Sequence, residues 1–188
     1  MRVALAAARQ IVLAIAAVLL LATSAFADEA LDRAELDRLF AELKVAPDAE
    51  AAATISQHIW AIWTNPSDPE LARRMFEILA VRSSGNLSGS IALLDKLVED
   101  YPTYAEGWNQ RATMRYLVND LEGSLADIDK VLEFEPRHFG ALSGRVLIYL
   151  AQGKRALALK EMATALTIHP FLNERQLFPE LQQEMVRI

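Results

Sequence analysis

Ala105 to Pro136 reads AEGWNQRATMRYLVNDLEGSLADIDKVLEFEP, and Phe139 to Pro170 reads FGALSGRVLIYLAQGKRALALKEMATALTIHP. The two blocks superpose at an offset of 34 residues, and the same offset reaches back to Leu71–Pro102, LARRMFEILAVRSSGNLSGSIALLDKLVEDYP. Each block closes on a proline, Pro102, Pro136 or Pro170, and each has a turn at its middle: Gly85-Asn86, Asn119-Asp120 and Gly153-Lys154. Glycine and asparagine tolerate the left-handed backbone that ends a helix, so every block reads as helix, tight turn, helix. The second helices carry one apolar ladder: Ile91, Leu125 and Leu159, then Leu94, Ile128 and Met162, then Leu97, Val131 and Ala165. Small residues, Ser90, Ser124 and Ala158, stand where two helices must approach closely. A 34-residue period with this punctuation predicts an all-α, right-handed solenoid of stacked helical hairpins.

Outside the blocks, apolar periodicity predicts a helix over 29–44 and another over 49–64. Asp48 and Asp68 are placed as N-caps, with Pro69 at a first helical position. Residues 28–69 therefore read as an N-terminal helical pair, with a degenerate repeat as the alternative, and 70–170 as three repeats. Trp60 and Trp63 are expected to pack between hairpins, the alternative being an exposed aromatic stripe for a partner. Residues 171–188 carry Leu172, Leu177, Phe178, Leu181, Met185 and Val186 and are expected to form a C-terminal capping helix, which a stack needs to shield its end.

The first 27 residues have a different character. Arg2 and Arg9 precede the unbroken apolar run IVLAIAAVLLL, Ile11 to Leu21, and Ala25-Phe26-Ala27 supplies a small-x-small cleavage pattern. This predicts a signal peptide cleaved after Ala27 and a periplasmic or secreted product. The alternative is an uncleaved membrane anchor, the one route by which the chain would contact a membrane. No cysteine follows the run, which excludes a lipid anchor there, and the absence of cysteine excludes thiol chemistry and thiolate metal sites. Of 19 basic residues, all but Arg2 and Arg9 lie beyond residue 27, leaving 17 against 25 acids and a net charge of −8. Such a chain is not expected to bind nucleic acid. Ten acids and four bases fall between Asp95 and Glu135, whereas Pro136 to Lys160 has five bases and no acid. Solvated helix faces account for this pattern, and a bipolar surface that orients a partner is the alternative.

The blocks resemble the tetratricopeptide repeat. Trp108, Ala112, Tyr116 (one place late), Ser124, Ile128 (apolar but not aromatic) and Pro136 fill the roles of its motif in the second block, and the third offers Leu142, Val146, Tyr149, Ala158, Met162 and Pro170. The first block holds Arg74 where the motif has Trp. The resemblance implies that ligands lie in a concave groove lined by first helices. The corresponding positions are Met75, Leu79 and Arg82, then Asn109, Thr113, Tyr116 and Leu117, then Ser143, Leu147, Leu150 and Ala151. Arg82, Asn109, Thr113, Tyr116, Ser143 and Leu147 are accordingly the candidate protein-binding residues. The Lys and Asn clamp that some family members use on a C-terminal carboxylate is missing, its slots holding Met75, Leu79, Gln110, Gly140 and Gly144.

Arg111 and Arg145 occupy equivalent slots on the inward side of first helices, and sixteen residues after each lies an acid, Asp127 and Glu161. A partly buried guanidinium needs a partner, so an Arg–carboxylate bridge is predicted within each hairpin. These four residues, with Trp108, Pro136 and Pro170, read as structural. His58, His138 and His169 fall in no metal-ligand spacing. The last two sit at inter-repeat turns, where capping or solvent exposure is the ordinary expectation. No nucleophile motif, glycine-rich phosphate loop or carboxylate pair is present, so neither cofactor nor metal nor catalysis is expected. The reading is a non-enzymatic scaffold of the bacterial cell envelope that binds a protein or peptide. The alternative is a structural subunit that self-associates or docks through its cap and charged surfaces.

Overall fold

A computed structural model describes residues 30–184. The signal peptide expected over 1–27, and Met185 and Val186 of the expected cap, lie outside the described residues. Residues 30–44 form α1, followed by α2 (Ala49–Thr64), α3 (Pro69–Ser83), α4 (Leu87–Asp100), α5 (Ala105–Leu117), α6 (Leu121–Phe134), α7 (Phe139–Ala151) and α8 (Arg155–Ile168). A short 3-10 turn (Asn173–Leu177) and α9 (Pro179–Glu184) complete the fold. No strand occurs among the described residues, and none of their helices is long and apolar enough to cross a membrane.

The repeat turns follow from three residues one period apart. Gly85, Asn119 and Gly153 take φ of 79°, 64° and 70°, the left-handed region that reverses the chain after α3, α5 and α7. Asn86 and Asp120 then cap α4 and α6 by accepting the backbone N–H of Gly89 and Gly123, each at 2.9 Å. Asp48 and Asp68 do the same for α2 and α3 at 2.8 Å, with Pro69 opening α3.

Within the stack, α3 packs on α4, α4 on α5, α5 on α6, α6 on α7 and α7 on α8, the order of a tetratricopeptide-type solenoid. Leu94, Leu97, Ile128, Val131, Met162 and Ala165 are buried along the second helices. Each large apolar side chain withdrawn from water contributes about 1.5–3 kcal/mol. Ser90, Ser124 and Ala158 are also buried, and the Ser124 hydroxyl donates to the Ala112 carbonyl at 2.8 Å across its hairpin.

The N-terminal pair does not extend the stack beyond α3. It lies against the third repeat: Leu39, Phe40 and Leu43 of α1 and Ala52, Ile59 and Trp63 of α2 share one core with Phe139, Leu142 and Val146 of α7. Trp60 meets Phe139 edge to face, with ring centroids 5.5 Å apart, and Arg137 stacks on Phe40 at 4.4 Å while bonding Asp37 at 2.6 Å. Beyond α8, Leu172 and Phe178 enter the same core. Arg155 lies over the Phe178 ring at 5.0 Å and binds Glu180 at 2.9 Å. Leu177, expected in the apolar face of the cap, is instead 45% exposed, because the 3-10 turn points it outward.

Candidate functional site

Placing α2 over the third repeat leaves a cleft of about 570 Å³ between α2, the first helices α5 and α7, and the segment after α8. Ala49, Ala53, Ser56, Gln57 and Trp60 form its α2 wall. The facing wall holds Asn109, Thr113 and Tyr116 of α5 and Phe139, Ser143 and Leu147 of α7. Ala112, Ile128, Ala141 and Ile148 deepen it, and His169, Phe171 and Glu174 close one end. Five of the six candidate binding residues thus line one space. Asn109 and Ser143, and likewise Thr113 and Leu147, are period-equivalent positions on adjacent helices.

Arg82 is not among the lining residues. It donates to Gln110 Oε1 at 2.6 Å and joins a polar chain beneath the cleft. Met75, expected at the groove, is fully buried in the core of the first repeat, because its side chain turns toward α4 and Met114.

That polar chain escaped sequence reasoning. Glu106 is buried and accepts from Asn109 Nδ2 at 3.0 Å, from Gln110 Nε2 and from His138 Nε2 at 2.9 Å. His138 Nδ1 accepts the Ala141 backbone N–H at 3.1 Å, so the ring proton sits on Nε2 and points to the carboxylate. His138 therefore caps α7, yet it is buried rather than solvent-exposed, because the Trp63 indole stacks on it at 4.0 Å and 6°. Tyr104, the residue 34 before His138, donates its hydroxyl to the Trp63 carbonyl. Burial, then the nearby Glu106 charge, holds the Tyr104 phenol well above its ordinary range.

Ser56 and His169, both in the cleft wall, are 2.9 Å apart and superficially resemble a nucleophile with its base. The proton positions run the wrong way. His169 Nδ1 accepts the Phe171 N–H at 3.2 Å, which leaves Nε2 protonated and donating, while the Ser56 hydroxyl donates to the Ala52 carbonyl at 2.7 Å. A base that already carries its proton cannot take one from serine. Burial lowers the His169 pKa, only partly opposed by its backbone hydrogen bond, and keeps the ring neutral. The pair fastens α2 to the end of α8. No cluster of three or more ligating side chains that could hold a metal occurs among the described residues.

The structural candidates divide by strength. Arg111 grips Asp127 through Nε at 2.9 Å and Nη2 at 2.7 Å, reaches Asp95 at 2.8 Å and lies 4.8 Å over Trp108. Burial alone would lower the Arg111 pKa, but the Asp127 and Asp95 carboxylates outweigh it and raise it. Arg145 stands 3.6 Å from Glu161 and makes its shorter contact, 2.6 Å, with the exposed Asp129. Trp108 donates to the Pro102 carbonyl at 2.8 Å, Pro136 marks the end of the α6 hairpin, and Pro170 gives its carbonyl to Arg175 at 3.1 Å.

No protein-family model matches the chain. A TPR repeat-containing protein of Rhizobium etli is 35% identical over 136 residues, 72% of this chain and 66% of that protein. A tetratricopeptide repeat protein 36 homolog of Nematostella vectensis is 29% identical over 112 residues, 58% of this chain and 61% of that one. The chain thus spans slightly under two thirds of the length of these relatives. Among solved structures, a mutant of MamA aligns with a TM-score of 0.49 at 12% identity, covering 73% of this chain and 96% of that one.

Proposed function

Because the chain belongs to the tetratricopeptide repeat family, whose members generally serve as scaffolds for protein interaction, we propose that it is a non-enzymatic scaffold binding a protein or peptide segment in the cleft between α2 and α5–α7. The observation that carries this reading is the convergence of Asn109, Thr113, Tyr116, Ser143 and Leu147 on one preformed space of about 570 Å³. Side chains fixed on packed helices lose little conformational freedom on binding, which leaves more of the contact energy for affinity.

A library of synthetic peptides passed over the immobilised full chain tests the site. Peptides retained by the parent are expected to be lost when Leu147→Glu places a charge in the cleft wall. Equal retention by both proteins, or no retained peptide, overturns the reading.

Export belongs to the same proposal. Arg2, Arg9, the Ile11–Leu21 run and Ala25-Phe26-Ala27 support a signal peptide and a periplasmic or secreted product. The intact mass of the cellular protein decides it: retention of residues 1–27 would point to an anchor instead.

One observation favours a second reading, a self-associating subunit. α3 opens the stack, and its Phe76 stands 76% exposed between exposed Arg73 and Glu77. Salt-dependent oligomers abolished by Phe76→Ser would support it, and a monomer at all salt concentrations would exclude it.

A further inference from the structure

The charges around the cleft specify what enters it. Among its lining residues there is no lysine or arginine, and Glu174 is the one formally charged side chain. Glu174 is half-buried at the end closed by the segment after α8, and it forms no ion pair among the described residues. His169, another lining residue, is held neutral by burial. Deeper in the same space, the Ser143 hydroxyl is buried with no hydrogen-bond partner among the described residues. A buried donor left unmet is costly, and a carbonyl brought in by a ligand would satisfy it.

Resting on the cleft reading above, we propose that the occupant is a short apolar segment bearing a Lys or Arg side chain, whose cation lies against Glu174 while a carbonyl of the segment accepts from Ser143. The walls suit the apolar part: Trp60, Ile128, Phe139, Leu147, Ile148 and Phe171 surround it. The volume limits its length, since a helix about 10–12 Å across would exhaust 570 Å³ within about one turn. An acidic segment is disfavoured because its carboxylate would lose water beside Glu174 with no cation to receive it. The net charge of −8 beyond residue 27 also draws cations toward the protein before contact.

The test uses N-acetylated, C-amidated octapeptides of random sequence, so that terminal charges play no part, with bound members identified by mass spectrometry. The full-length parent should enrich Lys and Arg over Asp and Glu by about fivefold, the effect of one partly solvated pair. Glu174→Lys should abolish or invert that preference while retaining the fold by circular dichroism. Bound peptides with no basic preference, or a preference that survives Glu174→Lys, overturn this inference and leave the cleft reading standing. Failure of the parent to retain any peptide, or retention indifferent to Leu147→Glu, overturns both.

Discussion

The Glu106 carboxylate and the His138 imidazole meet at 2.9 Å with neither side chain exposed, and they join three elements that are distant in sequence. Glu106 lies on α5, His138 caps α7, and Trp63 of α2 stacks on the imidazole at 4.0 Å. Through Gln110 the carboxylate also connects to Arg82 on α3. One buried acid thus ties the three repeats and the N-terminal pair together, beneath the cleft proposed to bind.

Glu106→Gln keeps the shape of that acid and replaces one of its two acceptor oxygens by an NH2 donor. Asn109 and His138 both donate to Oε2 and Gln110 donates to Oε1, so an amide NH2 at either oxygen opposes a donor. The expected loss is about 2–3 kcal/mol, the scale of hydrogen bonds to a charged group that become unmet burial. At about 2–4 °C per kcal/mol for a domain of this size, Tm should fall by roughly 5–10 °C. Urea denaturation that puts the variant within ~0.5 kcal/mol of the parent would remove the network from the stability argument.

The two arginines of the repeat slot should differ. Arg111→Ala leaves Asp127, 2% exposed, with Arg115 at 3.1 Å as its one remaining cation among the described residues, so a cost of about 3 kcal/mol follows from stripping a buried carboxylate of its main partner. Arg145→Ala frees Asp129, 74% exposed, and a Glu161 contact of 3.6 Å, which solvent replaces for about 1 kcal/mol or less. Chemical denaturation of both variants checks the ranking, and equal losses would contradict it.

Acid should weaken the hold of α2 on α8. His169 is neutral in the folded state and its pKa is lowered from 6.5 by burial, whereas in the unfolded chain it titrates near the ordinary value. Between the two values the unfolded state binds more protons, so stability rises with pH there. Its contribution is complete above about pH 6.5 and declines as pH falls toward the lowered folded value. Melting at pH 7.5 and 5.5 should therefore show a smaller acid loss for His169→Gln than for the parent. Identical losses in the two proteins would assign the pH dependence to other groups.

What the sequence made legible was whatever repeats. The 34-residue period located the hairpins, their left-handed turns at Gly85, Asn119 and Gly153, and the sixteen-residue spacing of Arg111 and Asp127. It was blind to what occurs once. The positions 34 from Glu106 hold Ala72 and Gly140, and the one before His138 holds Tyr104, so their pairing has no echo in the period. The stripe Ile55, Ile59, Ile62 and Trp63 showed that α2 buries a face, but periodicity names the face and not its partner. That partner, Phe139 and its neighbours, lies some eighty residues on, and the cleft exists only because of that choice. Five cleft residues were therefore found by their slots on first helices, while Ser56, Trp60, His169 and Glu174, which close the space, had no slot to betray them.

Two glycines of α7 give the sharpest test of where α2 sits. A Cβ on Gly140 would fall 2.6 Å from Cη2 and 2.8 Å from Cζ2 of Trp60. The indole has little freedom to yield, being held edge to face by Trp63, His138 and Phe139 at 5.2–5.6 Å. Gly140→Ala should then cost about 1–3 kcal/mol through overpacking. A Cβ on Gly144 meets only Ile128 Cδ1 at 3.5 Å, an ordinary contact, so Gly144→Ala should be neutral or stabilise by up to ~1 kcal/mol through helix propensity. Trp60→Ala removes the obstruction, and adding Gly140→Ala to that background should cost nothing further. The double-mutant cycle therefore carries a coupling of about 1–3 kcal/mol, within the range of residues in contact. Additive losses would mean that Trp60 does not rest on Gly140, and the cleft wall formed by α2 would have to be redrawn.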